Sequence, residues 1–156
     1  MYPPTHKGLM LDTNVYNRVI DGVLDILAFA GNPLFATHIQ LDELKNTTNP
    51  ERKTKLVAGF NEIATTQIPT ESMVWDVFIW DECKWPTDDL CERLFAEIRK
   101  RESRNKSDVN CWRDALIADT AMKNDLLLIT DDVNLRDVVR ESFGQAITIS
   151  EFLHSS

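Results

Sequence analysis

Cysteine is scarce in this 156-residue chain, and its three residues, Cys83, Cys91 and Cys111, form no recognisable pattern. They are odd in number and include no C-x-x-C pair, which argues against a zinc site and a disulfide framework. We therefore expect reduced thiols. The sequence also lacks an apolar run long enough to cross a bilayer, and its first residues do not resemble a signal peptide. These absences predict a cytoplasmic protein with no membrane partner.

Glycine-rich phosphate-binding loops are missing as well. Neither G-x-x-x-x-G-K-[ST] nor G-x-G-x-x-G occurs in the sequence, which argues against binding of nucleoside triphosphates or dinucleotides. The three histidines, His6, His38 and His154, are dispersed, and none accompanies Ser or Cys in the arrangement of a catalytic triad. The sequence gives no support for general-base chemistry by histidine.

Basic residues are outnumbered by acidic ones, 17 against 25, which gives a net charge of −8. Nonspecific coating of nucleic acid requires a broad basic surface, so this balance argues against that mode of binding. It does not exclude a nuclease, because a site built from carboxylates is itself negative until a divalent cation binds. The chain length fits one globular domain, and we predict a single domain over residues 1–156.

Short apolar runs alternate with amphipathic segments along the chain. We predict strands at Gly8 to Leu11, Leu34 to Ala36, Thr65 to Ile68, Leu126 to Ile129 and Ala146 to Ile149. We predict helices over Val15 to Leu27, after Thr37, after Asn49-Pro50-Glu51, after Thr87-Asp88-Asp89, from Ser107-Asp108 to about Asn124, around Leu135 to Arg140 and at the C-terminus. This alternation predicts an α/β fold with a mainly parallel central sheet flanked by helices.

Acidic residues occur where such a fold places its sites, beyond the carboxyl ends of the strands. Asp12 and Asp132 follow predicted strands, and Glu43 lies on the helix after another strand. Asp114 lies in a core-like helical stretch, where a carboxylate needs a partner. Any single Asp is weak evidence, because most acids are solvated or cap helices. Together, however, carboxylates are hard oxygen ligands that suit Mg²⁺ or Mn²⁺, and such an ion can polarise a phosphoryl oxygen.

Four segments in order resemble the successive motifs of PIN-domain nucleases. They are Leu11-Asp12-Thr13-Asn14-Val15, Glu43-Leu44, Asp114-Ala115-Leu116-Ile117-Ala118 and Leu128-Ile129-Thr130-Asp131-Asp132. The motifs span most of the chain and resemble those of VapC-like toxins in particular. The resemblance implies a single PIN-like domain, a metal-dependent endoribonuclease that cleaves RNA, an antitoxin protein as partner and a homodimer.

The resemblance also assigns roles to residues. Asp12, Glu43, Asp114 and Asp132 would form a catalytic quartet around Mg²⁺ or Mn²⁺, while Thr13, Asn14 and Thr130 would arrange the carboxylates or water. Asp132 fits the T-x-D pattern. Thr130 and Asp132 project to the same side of an extended chain and Asp131 to the other, so Asp131 is the reserve candidate.

Several further residues are open to more than one interpretation. Of the basic residues near the motifs, we select Lys45 and Arg113 as candidates for substrate binding, although helical Lys and Arg most often remain solvated. Asp119 is predicted to lie on the surface, and the polar stretch from Lys100 to Lys106 is predicted to be a solvated connection. The tryptophans can stack on bases or accept a partner helix, but core or subunit packing is favoured. They are Trp75, Trp80, Trp85 and Trp112.

Three alternative functions stay open. A phosphohydrolase of the haloacid-dehalogenase type also begins with an acid after the first strand, but it requires a second Asp two positions later, where this chain has Asn14. A noncatalytic module that binds RNA or protein would not need four acids in register. A housekeeping or DNA-directed PIN nuclease would share the site but not the toxin role.

Overall fold

A parallel sheet forms the centre of the fold. The computed structural model describes residues 6–63, 66–74, 83–85 and 88–155. Within them the strands are β1 (Gly8–Leu11), β2 (Leu34–Ala36), β3 (Thr66–Gln67), β4 (Leu126–Ile129) and β5 (Ala146–Ile147). All the pairings are parallel, in the order β3-β2-β1-β4-β5. The predicted α/β class and parallel sheet are confirmed.

Helices cover both faces of this sheet. They are α1 (Thr13–Ile20), α2 (His38–Lys45), α3 (Pro50–Ile63), α4 (Leu90–Arg101), α5 (Asp108–Lys123), α6 (Val133–Glu141) and α7 (Ile149–Ser155), with a 3-10 turn at Ile26–Phe29. Successive side chains of a strand point to opposite faces. Accordingly Leu9 and Leu11 join one apolar cluster, whereas Met10 joins the cluster formed with α4, α5 and α6. Burial on both faces explains why β1 and β4 are apolar at every position.

The first helix ends earlier than its apolar pattern predicts. A continuous helix over Val15 to Leu27 is wrong, because α1 ends at Ile20 and Gly22 takes a φ of +75°. The Gly22 amide donates to the Val19 carbonyl, and the next amide donates one residue further back, to the Arg18 carbonyl. This is the Schellman arrangement that a glycine in the left-handed region favours.

Other helix starts agree with their predicted capping residues. The Thr37 side chain accepts from the Ile39 amide, and Ser107 accepts from the Asn110 amide. The predicted fifth strand is shorter than expected, because Ile149 already belongs to α7. The predicted positions Thr65, Trp75, Trp80 and Thr87 lie outside the described residues. No helix among the residues described is both long enough and apolar enough to span a bilayer.

Asp119 is buried, so its predicted surface position is wrong. Its carboxylate accepts from Ser72 Oγ at 2.9 Å and lies 2.8 Å from Lys123 Nζ, which also contacts Asp88 at 3.0 Å. Burial raises the pKa of Asp119, and the two hydrogen-bond partners oppose that rise. Helix α5 is covered on all sides over Asp114 to Ala121, so no position in that stretch faces solvent.

Candidate active site

The four acids that the sequence selected lie around one pocket. Asp12 follows β1, Glu43 lies on α2, Asp114 lies on α5, and Asp132 caps α6 after β4. The pocket has a volume of about 170 Å³ and lies beyond the carboxyl ends of the strands, where sites form in parallel sheets. Its lining residues are Asp12, Thr13, Asn14, Glu43, Lys106, Asn110, Asp114 and Asp132.

Asp12 is held in one orientation by two hydrogen bonds. Its Oδ1 accepts from the Thr13 amide at 2.8 Å, and its Oδ2 accepts from Thr130 Oγ1 at 2.8 Å. Thr130 Oγ1 also accepts from the Asp132 amide at 3.0 Å. Burial raises the pKa of Asp12, and the Asp132 carboxylate adds to that rise, whereas the Thr130 and Thr13 hydrogen bonds oppose it. Thr130 therefore links two acids of the pocket.

Glu43 and Asp114 are carboxylates in surroundings that disfavour their charged forms. Burial, with the neighbouring Asp12 and Asp114 carboxylates, raises the pKa of Glu43 to about 8. Burial, with the Asp12 carboxylate, raises the pKa of Asp114 to about 7, although Lys106 opposes that rise. Glu43 Oε1 is buried with no hydrogen-bond partner among the described residues. The pocket therefore carries more acidic groups than its surroundings neutralise.

The two consecutive acids after β4 have different surroundings. Asp132 Oδ1 accepts from the Leu135 amide at 3.1 Å, and its Oδ2 lies 3.3 Å from Lys106 Nζ. Asp131 instead lies 2.5 Å from an Arg18 guanidinium nitrogen and is not part of the pocket lining. The structure thus places Asp132 at the pocket and Asp131 outside it, as the alternation after the strand indicated.

Lys106 and Asn110 also line the pocket, and the sequence selected neither. The prediction that Lys106 belongs to a solvated connection is wrong, because its Nζ lies 2.5 Å from Asp114 Oδ2. No sequence pattern indicated this contact, which forms only when the connection between α4 and α5 folds over the acids. Asn110 had a usable signal, since it precedes Asp114 by four residues on one helix and so shares its face.

The two basic residues selected from the sequence are not in the lining of the pocket, although the charge of Arg113 opposes the rise in the pKa of Glu43. Lys45 is exposed, and Arg113 donates to Asn110 Oδ1 at 3.1 Å, but neither belongs to the lining of the pocket. Their roles in substrate binding stay predictions. Trp112 stacks on Phe95 with ring centroids 3.8 Å apart, which confirms the packing interpretation for this residue. Trp85 is 73% exposed, so it is not packed in the core of this chain, and subunit packing stays a prediction for this residue.

The side chains that line this pocket are of the kind that bind divalent cations. In the part of the chain that the structure describes, no group of three or more His, Cys, Asp or Glu side chains is positioned to hold a metal ion as it stands. The donors are nevertheless carboxylates, the hard ligands that Mg²⁺ and Mn²⁺ prefer. The partnerless Glu43 Oε1 and the raised pKa values of Glu43 and Asp114 indicate a place where added positive charge is favourable.

The chain matches no protein-family model and no curated protein. Among solved structures it is similar to one described as the crystal structure of FitAcB from Neisseria gonorrhoeae. The two chains are 17% identical, the similarity covers 89% of this chain and 96% of that chain, and the TM-score is 0.40.

Proposed function

We propose that this chain is a Mg²⁺- or Mn²⁺-dependent endoribonuclease that hydrolyses RNA phosphodiester bonds at the acidic pocket. The observation that carries the proposal is the convergence of Asp12, Glu43, Asp114 and Asp132, from four separate segments, on one small pocket. Gathering buried carboxylates is unfavourable unless a cation or a proton compensates them. Such a cluster at the carboxyl edge of the sheet supports a metal-dependent reaction there.

Each side chain has a separate task in this proposal. The four carboxylates would hold the ion, which when bound polarises a phosphoryl oxygen and favours formation of hydroxide from water. The Thr130 hydroxyl fixes the positions of Asp12 and Asp132 relative to each other, because it donates to the Asp12 carboxylate and accepts from the Asp132 amide. Because burial and the neighbouring carboxylates raise the pKa of Glu43 to about 8, this residue favours its protonated form at neutral pH and would release the proton on acting as a ligand. Asn110 lines the pocket and can donate its side-chain amide to a substrate phosphate.

The finer parts of the proposal are supported by the motif resemblance. We include RNA as substrate, a toxin role, an antitoxin protein as partner and a homodimer, because the four motifs resemble those of VapC-like toxins. Parallel assays on RNA and DNA oligonucleotides of matched sequence test the substrate, and preferential cleavage of DNA would replace the RNA assignment. A small DNA-binding protein encoded immediately upstream, which suppresses growth arrest on co-expression, would support the toxin role.

The central test measures cleavage of end-labelled single-stranded and structured RNA with Mn²⁺, with Mg²⁺ and with a chelator. We expect cleavage only with metal, and a loss of at least about 100-fold in Asp12→Asn and Asp114→Asn, since these changes remove ligands. Asp42→Asn is the matched control, because Asp42 precedes Glu43 on α2 but pairs with His38 at 3.1 Å. Full activity in either ligand variant, with thermal unfolding that shows a folded protein, would refute the proposal.

Metal binding without substrate separates the nuclease from a noncatalytic module. Titration calorimetry of the whole chain with Mn²⁺ should give a saturable site that Asp12→Asn weakens. Absence of binding at millimolar Mn²⁺ and Mg²⁺ would favour a module that binds RNA or protein and performs no hydrolysis.

A further inference from the structure

Lys106 is the one basic side chain in the lining of the acidic pocket, as far as the described residues go. Its Nζ lies 2.5 Å from Asp114 Oδ2 and 3.3 Å from Asp132 Oδ2. These two acids belong to α5 and to the exit of β4, so one ammonium bridges two elements that converge on the pocket. Lys106 therefore already contributes a positive charge at the position where the carboxylates are gathered.

The backbone of Lys106 is fixed by hydrogen bonds, while its ammonium lies near a third carboxylate, that of Glu102. The Lys106 carbonyl accepts from Arg99 Nη1 at 2.6 Å, and its amide donates to the Ser103 carbonyl at 3.2 Å. The ammonium also lies 3.3 Å from Glu102 Oε1, and Glu102 does not line the pocket. A lysine side chain has a long, flexible stem. The ammonium can consequently leave Asp114 and stay paired with Glu102.

An ammonium and a divalent ion compete for the same carboxylate oxygen, because both are stabilised by its negative charge. Mg²⁺ takes oxygen ligands at about 2.0–2.1 Å. With Lys106 Nζ at hydrogen-bond distance from Asp114 Oδ2, a metal ion on that oxygen would lie close to a like charge in a partly buried site. Binding of the metal to Asp114 Oδ2 is therefore more favourable when the ammonium moves away.

We propose that Lys106 is a tethered counter-ion that competes with the divalent metal for Asp114 and Asp132, and that its ammonium leaves these two acids and stays paired with Glu102 when the metal binds. The inference rests on the metal site in the proposed function. It gives Lys106 a specific effect, which is to lower the metal affinity of the pocket. It gives Glu102 the opposite effect, because Glu102 stabilises the displaced ammonium.

The test is the Mn²⁺ affinity of the whole chain without RNA, measured by titration calorimetry. We expect Lys106→Met to bind Mn²⁺ about tenfold more tightly than the unsubstituted protein, because the competing ion pair is lost. Lys106→Arg should retain the lower affinity, and Glu102→Gln should weaken binding about threefold. Lys100→Met is the control, since Lys100 is exposed on α4 and pairs with Glu97.

Each result distinguishes the inference from the proposed function. Unchanged or weaker Mn²⁺ binding by Lys106→Met, with binding by the unsubstituted protein, would overturn the inference and leave the metal site standing. Absence of binding in both proteins would overturn the metal site and the inference with it. Should Lys106→Met fail to fold, Lys106→Gln replaces it, since the amide keeps polarity without charge, and the same tightening is expected. Thermal unfolding without metal verifies the fold of each variant.

Discussion

Replacing Glu43 by Gln removes a carboxylate whose charged form is disfavoured in the metal-free protein. Its pKa rises from 4.5 to about 8, chiefly through burial, so the folded state binds more protons than the unfolded state between these values. Stability should therefore fall as pH rises from about 4.5 to about 8 and should carry no Glu43 penalty below that window. We expect Glu43→Gln to be more stable than the unsubstituted protein at neutral pH when metal is absent.

The size of this effect follows from the pKa. Neutral pH lies about 2.5 units above the ordinary Glu value, and each unit corresponds to about 1.4 kcal/mol, so Glu43 costs up to about 3 kcal/mol. For a chain of this size that corresponds to an increase in Tm of up to about 10 °C in the variant. A metal ion bound at the pocket would reverse the balance, because a ligand at about 100 times its Kd stabilises the folded state by about 2.7 kcal/mol. The variant should receive much less of that gain.

The assay is thermal unfolding in a chelator and in saturating Mn²⁺, at pH values from about 4 to about 8. Glu62→Gln is the matched control, because it is the same chemical change at an exposed position of α3, away from the pocket. In chelator the Tm advantage of Glu43→Gln should grow with pH and vanish at the acidic end. A Glu43→Gln variant that is less stable than the unsubstituted protein at neutral pH in chelator would show that the Glu43 carboxylate does not destabilise the metal-free fold. Equal stabilisation of both proteins by Mn²⁺ would show that Glu43 is not a ligand.

Three further changes test other contacts. Thr130→Val should destabilise the fold by about 1–3 kcal/mol and weaken Mn²⁺ binding by about 10-fold or more, because Asp12 Oδ2 loses its hydrogen-bond donor. Thr130→Ser keeps the hydroxyl and should retain both stability and Mn²⁺ affinity. Equal behaviour of the Val and Ser variants would contradict the role of the hydroxyl. Lys123→Met should lower the free energy of unfolding, measured with denaturant, by about 3 kcal/mol, because it leaves Asp119 buried without its cation. The double variant with Asp119→Leu should recover part of that loss. Unchanged stability of Lys123→Met would contradict this role of the ion pair. Asp132→Asn should reduce Mn²⁺ affinity more than Asp131→Asn does, since Asp132 lines the pocket and Asp131 pairs with Arg18 outside it. Titration calorimetry measures both affinities, and a larger loss in Asp131→Asn would indicate that Asp131 is the ligand.

Prediction from sequence succeeded where a property depends on neighbouring residues. The apolar runs of β1 and β4, the Thr37 and Ser107 caps and the start of α3 at Pro50 all follow from local chemistry. The predicted length of α1 is wrong because the apolar spacing continues past Gly22. Spacing alone does not indicate that Gly22 adopts the left-handed conformation that ends the helix. That early end leaves Val23 and Leu27 each 72% exposed.

Burial of charged residues was less predictable. The sequence predicts a surface position for Asp119, because a separation of five residues places it on a different side of the helix from Asp114. A helix with one solvated side would expose that position, but α5 is buried on every side from Asp114 to Ala121, and Asp119 pairs with Lys123 and Ser72. The sequence pattern of a helix indicates which residues share a face, but it does not indicate how many faces the rest of the protein covers.

The four carboxylates of the pocket could be predicted from the sequence, because the order of strands and helices brings them to one edge of a parallel sheet. Their charge states and partners depend on the tertiary fold, as does the presence of Lys106 in the lining. Lys106 is eight residues from Asp114 and 26 from Asp132, and no local pattern predicts its contact with both. The strength of an ion pair and the pKa of a carboxylate depend on distance and on exclusion of water, and both arise when segments distant in sequence pack together.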